Sequence, residues 1–526
     1  MVAALATPQL AGAQACEQHR AESSLGHLHG LIVDSISVGT ALPSSTSIVG
    51  AVARRLHARS SPGTIRRLIA QERGVPIDTL RLAESMRLLR RTRLLSDASL
   101  DVRECHDSGR ATLDFRTTDA WTARGGVRIA GSRASASLGE DNLFGSGRSL
   151  RTSLRVDEGQ PGFGVQYVDP WLLGAPVALT ASRNLYRGGS ELGVGLSTVL
   201  RSALDPWRAE MLWRRTVRQS LASSGDRVER AAWRGAMERR VRVGPDAVTW
   251  LLVGAERIQA TLSSDSTANL VGPSRVTRDF TGVTLGIARR SLSYAQRNGM
   301  LGTSATVDVP VSLESDIALT IGHDAHTGAP TQHLDAWVGR VWPAGARSMV
   351  AADGWLSGFK DRQGWSAGTA RASLFAVIPT ARGEWNARLS TETLLDPDPD
   401  IRSLASFDPT VRLFPSRGLA ETATIVTVER DETVRQVSRG YLLRGAIFAA
   451  ASRRWDLASG SVSDRGRVAL LGLGLRLRPT RVGRATVRLD VGWPVAGRVA
   501  SRRPAFSLSV MPWFEHDRRR SGRSPQ

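Results

Sequence analysis

A strict alternation of apolar and charged residues is the feature that most limits how this chain can fold. In one extended segment, Leu150, Thr152, Leu154 and Val156 fall on one side, and Arg151, Ser153, Arg155 and Asp157 fall on the other. A β-strand turns successive side chains to opposite faces, so this segment predicts a strand with an apolar face and a charged face. Asp141-Asn142, Gly145-Ser146-Gly147 and Pro161-Gly162 surround it with turn signals. The pattern predicts antiparallel hairpins, which fit either a soluble sandwich or a transmembrane barrel.

The same alternation returns near the C-terminal end. Apolar residues at alternate positions (Leu471, Leu473, Leu475, Val487, Leu489, Val491, Trp493) oppose small or charged ones (Gly472, Gly474, Arg476, Thr486, Arg488, Asp490, Gly492). A last strand ends in Trp513-Phe514, and such a terminal aromatic is typical of outer-membrane barrels. No apolar run approaches the ~20 residues of a membrane helix. A membrane crossing by this chain must therefore use strands.

The charge of the chain is strongly basic and is carried almost entirely by arginine. The 526 residues have a formal net charge of +21, and Lys360 is the only lysine. So strong a net positive charge is typical of proteins that bind nucleic acid. The arginines, however, are scattered along the chain, many at alternate strand positions. Arginines that line a barrel or meet anionic lipid head groups explain this distribution better, so we predict no nucleic-acid partner.

Residues 1–15 and the two cysteines point to an exported protein. The first stretch is short, apolar and rich in alanine, and Ala13-Gln14-Ala15 is a small-residue cleavage site, so we predict a signal peptide whose basic start is missing. Cys16 and Cys105 are the only cysteines. In an exported protein they can form a disulfide. The alternatives are a free thiol and a lipid-modified Cys16, for which the preceding residues make a poor lipobox.

Residues 27–122 have the pattern of a small α+β domain. An extended segment from His29 to Val38 precedes two amphipathic helical segments, for which Thr64 and Asp78 are candidate N-caps. Two further strands follow, over 98–104 and 111–117. The expected order is strand, helix, helix, strand, strand.

Two groups of residues at the start of the predicted barrel resemble a known family. The residues are Asn142, Leu143, Gly145 and Gly147, followed by Tyr167, Asp169 and Pro170. At this spacing, they resemble the opening strands of the BamA/TamA-like outer-membrane assembly (surface antigen) family. The preceding segment, with Leu82-x-Glu84-Ser85-x-Arg87 and Thr118-Asp119-x-Trp121, resembles a POTRA domain. We identify one such unit, whereas the best-known assembly factors carry several.

The resemblance implies a mainly β protein. It implies a transmembrane antiparallel β-barrel of sixteen strands over residues 125–514, behind an N-terminal α+β POTRA-like periplasmic domain (27–122) and ahead of a basic tail (515–526). The protein would lie in the outer membrane of a Gram-negative-type cell and assist the insertion, assembly or translocation of other outer-membrane proteins, without a cofactor and without enzymatic activity. Its partners would be outer-membrane lipid, unfolded outer-membrane client proteins and periplasmic accessory proteins. The alternatives are a two-partner secretion pore for one dedicated substrate and a passive porin or receptor.

The family's other marker is a Val-Arg-Gly-Phe motif in a long external loop, whose arginine folds into the barrel lumen. Arg412, Arg417 and Arg439 compete for that position. The resemblance requires five strands after the motif, and only four follow Arg439. Between the other two, Ser416-Arg417-Gly418-Leu419 keeps the Arg-Gly pair, so Arg417 is the prediction and Arg412 the runner-up. Glu429, predicted to face inward on the next strand, is a candidate lumen partner for Arg417.

The alternation pattern and the family resemblance give different numbers of strands. The sequence contains 18 or 19 candidate strands, whereas the resemblance implies sixteen. We expect the surplus to form hairpins in external loops between Asp279 and Leu395.

Two patterns resemble catalytic or metal-binding motifs but do not fit them. Gly364-Trp365-Ser366-Ala367-Gly368 matches the nucleophile elbow, which requires a helix after the serine, but the residues that follow continue as a strand. His323, His326 and His333 have neither helical nor zinc-knuckle spacing, and we expect them in a solvated loop. No catalytic, cofactor-binding or metal-binding residue is predicted.

Substitution of Arg417 tests the placement of the loop motif. A guanidinium fork can satisfy several acceptors on a lumen wall at once, so Arg417→Ala is expected to impair barrel folding or client assembly. Leu419→Phe restores the family's residue and should be tolerated. Heat-modifiable gel mobility and client levels in the outer membrane measure both effects. Arg439→Ala is the control and Arg412→Ala a third arm; a defect confined to Arg439→Ala would contradict the placement.

Overall fold

In the computed structural model, the chain forms a small α+β domain followed by a closed barrel of 20 antiparallel strands. The structure describes residues 17–20, 28, 30–42, 58–92, 94–105, 109–120, 122–130, 133–157, 160–186, 188–199, 202–219, 226–264, 275–298, 306–345, 347–362, 364–395, 410–411, 414–415, 422–438, 441–455, 467–479, 485–497 and 503–512. The predicted signal peptide, Cys16, Arg412, the motif at 416–419, Arg439, Phe514 and the basic tail lie outside these residues.

The N-terminal domain has two helices and a four-stranded mixed sheet. Its elements are β1 (Glu17–Arg20), β2 (Ile32–Ala41), α1 (Pro62–Arg66), α2 (Thr79–Arg91), β3 (Leu95–Cys105) and β4 (Arg110–Asp119). The sheet order is β1-β3-β4-β2; β2 runs parallel to β4, and the other pairs are antiparallel. The POTRA assignment remains a prediction from sequence.

Short side chains fix where the two helices begin. Ser61, and not Thr64 as the sequence suggested, caps α1, because the Thr64 amide donates to Ser61 Oγ at 3.0 Å. Asp78 caps α2 and accepts from the amides of Leu80 and Arg81. The helices and the sheet bury a common apolar core, which includes Leu28, Val33, Ile65, Ile69, Leu82, Leu89, Val102, Leu113 and Phe115.

The pairing of β1 with β3 bears on the predicted disulfide. Glu17 lies opposite Glu104, the residue that precedes Cys105. Cys16 lies outside the described residues, so its bond to Cys105 remains a prediction.

The barrel strands follow one another around the wall in chain order. They are β5 (Ala123–Ala130), β6 (Arg133–Leu143), β7 (Arg148–Asp157), β8 (Gln160–Asp169), β9 (Val177–Tyr186), β10 (Gly189–Thr198), β11 (Trp207–Gln219), β12 (Asp226–Val243), β13 (Ala247–Ser264), β14 (Arg275–Ser291), β17 (Glu314–Asp324), β18 (Ala329–Ala344), β19 (Ser348–Asp361), β20 (Gly364–Pro379), β21 (Gly383–Leu395), β24 (Thr422–Ser438), β25 (Tyr441–Trp455), β26 (Val468–Pro479), β27 (Ala485–Gly497) and β28 (Ala505–Pro512). Two small hairpins stand outside the barrel sheet: β15 (Tyr294–Asn298) with β16 (Thr306–Pro310), and β22 (Thr410–Val411) with β23 (Phe414–Pro415). Pairing of β28 with β5 closes the ring.

The expected count of sixteen strands is wrong, because the region from Asp279 to Leu395 contributes its strands to the barrel wall. β17 to β21 all pair within the ring. Their outward residues, such as Ile321, Val338 and Ile378, are as exposed and apolar as those of the other strands. Such a face requires an apolar surrounding, which an external loop would not provide.

The two ends of the barrel differ. β5 begins four residues after β4 ends, so the N-terminal domain and the start of β5 share one end, which we call the domain end. The β15–β16 hairpin belongs to this end, because β14 runs toward it. β21 ends and β24 begins at the opposite end, which we call the far end, and β24 ends and β25 begins at the domain end.

Apolar side chains cover the outer face of the barrel in a band. On β14, outward-facing Val283, Leu285 and Ile287 are exposed and lie between outward-facing Asp279 and Arg289. The ten residue steps from Asp279 to Arg289 span ~33 Å of strand, or ~25 Å along the barrel axis at the usual tilt near 40°. That height matches the apolar band of outer-membrane barrels.

None of the helices in the described ranges is long and apolar enough to cross a bilayer.

Candidate functional site

The barrel-start motif forms the joint between the N-terminal domain and the barrel. Asn142, at the end of β6, is fully buried. Its amide nitrogen Nδ2 donates to Ala58 O at 3.0 Å and to Ser60 Oγ at 2.9 Å, and its Oδ1 accepts from the Gly147 amide at 2.9 Å. One side chain therefore closes the β6–β7 turn and fastens the domain to it.

The glycines of the motif are required by conformation and by a close approach. Gly145 has φ of +71°, and its carbonyl accepts from the Ser61 amide at 3.0 Å and from Thr64 Oγ1 at 3.1 Å. A Cβ on Gly145 would lie 2.1 Å from Arg59 O, so a side chain there would push the domain off the turn. Gly147 also has a positive φ, +75°.

The second half of the motif serves the same joint. Asp169 is buried, pairs with Arg148 Nε at 2.9 Å and accepts from the Trp171 amide at 2.9 Å. Trp171, which follows Pro170 in the β8–β9 connection, packs into the apolar core of the N-terminal domain. Tyr167 and Leu143 lie on β8 and β6, opposite Leu150 and Arg148. The motif thus marks a structural joint.

Helix α2 makes a second set of contacts with the domain end. Arg90 holds Asp308 in the β15–β16 hairpin through two bonds, Nε to Oδ2 at 2.9 Å and Nη2 to Oδ1 at 3.0 Å. Arg87 lies over the ring of Tyr294 at 3.6 Å from its centroid. Burial lowers the pKa of the Arg87 guanidinium, while Tyr294 and Asp308 oppose that effect. Glu84 Oε2 accepts from the Ala203 amide at 3.0 Å in the β10–β11 connection.

These contacts place α2 over the lumen mouth at the domain end. Glu84, Arg87, Leu88 and Arg91 line one cavity together with Glu238, Trp250 and Asp316, which face inward on β12, β13 and β17. The domain therefore covers that part of the mouth.

The seam between the last and first strands is the weakest pairing of the described barrel. β28 and β5 have eight residues each, but only four pairs form, from Phe506 with Ile129 to Ser509 with Gly126. The next shortest pairing, between β8 and β9, has seven. Half of the residues of each seam strand therefore lack a cross-strand partner at the closure.

Glu429 lies at the centre of a charged network on the inner wall of β24 to β27. It is 3% exposed, and its carboxylate lies 3.1 Å from Arg476 Nη2 and 3.5 Å from Arg488 Nη2. Arg476 and Arg488 also contact Asp490, at 2.6 and 3.3 Å. The inward orientation matches the sequence prediction, whereas the role of Glu429 as a partner of Arg417 stays a prediction.

Glycines make room for this network. A Cβ on Gly474 would lie 2.3 Å from both Arg476 Nη1 and Asp490 Oδ1, and one on Gly472 would enter the ring of Phe448. Phe448 and Arg476 are both buried. The alternating Gly-Leu pattern of β26 therefore combines an apolar outer face with space for large inward side chains.

On another part of the inner wall, inward side chains of strands that are not neighbours meet. Glu256 on β13 contacts His333 on β18, with Oε2 to Nδ1 at 2.7 Å, although β14 and β17 lie between. His333 Nε2 lies 3.3 Å from Ser357 Oγ, and the ring stacks on Phe359. Three strand spacings measure ~14 Å along the wall, so the two side chains reach toward each other over the inner face of β14 and β17.

This arrangement corrects the expectation for the histidines. His333 is buried on a strand and not in a solvated loop, whereas His326 lies in the β17–β18 turn. Within the described ranges, no three His, Cys, Asp or Glu side chains group as metal ligands. Ser366 lies on β20, which continues as a strand, so the helix required by a nucleophile elbow is missing.

Sequence reasoning missed the partners of the motif residues and of Glu429. The inward positions of Arg476, Arg488 and Asp490 were visible in the alternation. Their mutual pairing was not, because it depends on the register of four strands. The Arg90–Asp308 contact joins residues 218 positions apart and has no local signal.

Comparisons with known proteins returned structural likenesses alone. No protein-family model matches the chain, and no curated protein matches it in sequence. CdiB from Escherichia coli is 11% identical, with a TM-score of 0.46, 94% of this chain covered and 80% of that one. CdiB from Acinetobacter baumannii is 11% identical (TM-score 0.40; 94% and 77% covered). BamA from Haemophilus ducreyi lacking POTRA domains 1–3 is 12% identical (TM-score 0.36; 91% and 84% covered). Membership of the BamA/TamA-like family therefore remains a prediction.

Loss of the Asn142 side chain is expected to loosen the joint. Asn142→Ala leaves the buried Ser60 hydroxyl without this partner, at ~1–3 kcal/mol, and removes the bonds to the half-buried Ala58 carbonyl and Gly147 amide, which cost less. Amide hydrogen exchange over residues 58–64 of the full chain should then accelerate by about tenfold or more. Phe144→Ser, two positions along the chain at a 92% exposed side chain, is the control. Equal exchange in both variants would show that Asn142 does not hold the joint.

Neutralising Glu429 is expected to destabilise the barrel. Glu429→Gln leaves Arg476 and Arg488 short of a buried counter-charge, which costs ~3–5 kcal/mol. The temperature at which the folded, fast-migrating form is lost on gels should fall. Glu432→Gln removes an exposed carboxylate that pairs with Arg430 on the same strand, and it should cost less than ~1 kcal/mol. Matching transition temperatures for the two variants would refute a stabilising role of the network.

Proposed function

We propose that this protein is an outer-membrane barrel that assists the insertion and assembly of other outer-membrane proteins. The observation that carries the proposal is the seam, where β5 and β28 share four residue pairs. Each backbone group without a partner in lipid costs several kcal/mol, so a half-paired seam is the place where the barrel opens most readily. An opened edge is a template on which a client strand can form its own hydrogen bonds.

The apolar band supports a location in the outer membrane. Trp207, Trp342 and Trp385 are exposed on the outer face near the domain end, where tryptophan side chains suit a membrane interface. In the proposed orientation, the N-terminal domain lies in the periplasm and the far end of the barrel lies at the cell surface. Membrane lipid and unfolded outer-membrane proteins are then the partners, and their insertion needs no cofactor.

The N-terminal domain offers an edge for incoming chains. β1 covers one edge of its sheet. At the other edge, β2 pairs with β4, and residues 74–77 occupy the outer side of its start through backbone bonds such as Val33 N to Val75 O at 3.1 Å. An extended client or accessory protein can add a strand along β2 beyond Val33 by backbone hydrogen bonding. This arrangement supports the POTRA-like role inferred from the sequence.

A reversible lock on the seam tests the proposal. Val127 and Leu508 are directly opposite, so Val127→Cys with Leu508→Cys, in a background lacking Cys16 and Cys105, should cross-link β5 to β28. Under oxidising conditions, the levels of folded outer-membrane clients should fall, and reduction should restore them. Val491→Cys with Phe506→Cys locks the neighbouring β27–β28 pair and serves as the control.

The outcomes separate the proposal from its rivals. If the locked seam leaves client levels intact, the assembly role is wrong. Continued export of one substrate through a locked seam would identify a secretion pore that uses the lumen. Unchanged client levels without such export would leave a passive porin or receptor.

A further inference from the structure

Four inward-facing arginines lie together on the wall of β11, β12 and β14. Arg230 on β12 is directly opposite Thr216, and Arg214 and Arg218 lie two residues to either side of Thr216 on β11. In the other direction, Arg230 is opposite Ala260, which is opposite Arg278 on β14. Diagonal neighbours in a sheet lie ~7–8 Å apart and next-nearest strands ~10 Å apart, so these side chains share one patch. We call it the arginine cluster.

Two of the four arginines of the cluster have no ion-pair partner among the described residues. Arg214 pairs with Glu191, with Nε to Oε1 at 3.0 Å, and Arg278 bonds to Ser366 Oγ at 3.1 Å and lies over the ring of Phe359. Within the described ranges, neither Arg218 nor Arg230 makes a hydrogen bond or ion pair. Arg230 is repelled by Arg214, Arg218 and Arg278, and Glu256 attracts it but is already bonded to His333.

A fifth arginine extends the patch toward the domain end. Arg234 lies four residues along β12, and its side chain is 9% exposed. Asp335 approaches its Nη1 at 3.6 Å, while its Nε and Nη2 have no hydrogen-bond partner. Buried donors without partners are unusual and favour an acceptor from a ligand.

We propose that the arginine cluster, with Arg234, is an anion-binding site that makes the far half of the lumen selective for anions carrying carboxylate, phosphate or sulfonate groups. Rings of arginine select anions in other pores, and planar guanidinium groups match the oxygen geometry of these ligands. The site does not depend on the proposed assembly role, because it concerns the charge of the lumen and not the seam.

Electrical recording in planar bilayers tests the site. With the purified full chain in a KCl gradient, the reversal potential should have the sign of chloride preference. Two unit charges ~7 Å apart in water interact with an energy close to RT, so each lost guanidinium should lower anion enrichment by about two- to threefold. Arg218→Gln combined with Arg230→Gln should therefore lower the chloride-to-potassium permeability ratio by roughly fivefold.

A matched control lies on the same strand. Arg215 is adjacent to Arg214 but faces outward, with a 51% exposed side chain paired to Glu229, so Arg215→Gln should leave the ratio unchanged. A cation-selective wild-type protein, or a ratio unaffected by the double substitution, would overturn the site.

A binding measurement tests the site even if the barrel conducts no ion current. A trisulfonated pyrene dye, followed by fluorescence anisotropy in detergent, should bind the wild-type protein, and its affinity should fall with rising salt and in the double variant. Absence of both dye binding and anion preference would refute the proposal. Binding that persists equally in the double variant would refute this location.

Discussion

Backbone hydrogen bonding in a medium without water is the constraint on which the rest of this structure depends. A sheet surrounded by lipid must close, because each open edge would leave a row of amides and carbonyls without partners. Twenty strands meet this requirement with long pairings, up to 17 residue pairs between β12 and β13. The ring is completed by only four pairs. The number of residue pairs therefore varies around the wall, and it is lowest at the seam.

The concentration of charged side chains in the lumen follows from the same closure of the sheet. Because the middle of the outer face is apolar, polar residues within that band point inward, and the barrel concentrates arginine and carboxylate side chains in its interior. On β24 to β27 they neutralise one another through Glu429, Arg476, Arg488 and Asp490. On β11 to β14 arginine predominates. The two sides of the lumen thus have different electrostatic character, although both derive from alternating strands.

Local pattern predicted local features well. The alternation in β26 correctly predicted outward Leu471, Leu473 and Leu475 and inward Arg476, because side-chain direction depends on neighbouring residues alone. The strand count failed between Asp279 and Leu395, since pairing within the ring cannot be read from one segment. The bonds of Asn142 to Ala58 and Ser60 and of His333 to Glu256 were also hidden, because these partners lie 77 or more positions away in sequence. Strand register and domain docking bring them together, and neither property is local.

The ion pair between Arg90 and Asp308 also constrains the order in which parts of the chain can fold together. The N-terminal domain emerges first and has its own apolar core, yet the aspartate that holds α2 comes 218 residues later, after ten barrel strands. Contacts of such separation form late, because the intervening chain must first be ordered. The Arg90–Asp308 ion pair therefore cannot form before the chain extends through β16. The joint at Asn142 and Trp171 can hold the domain once the first strands are made, whereas this ion pair adds its hold on α2 only after ten strands.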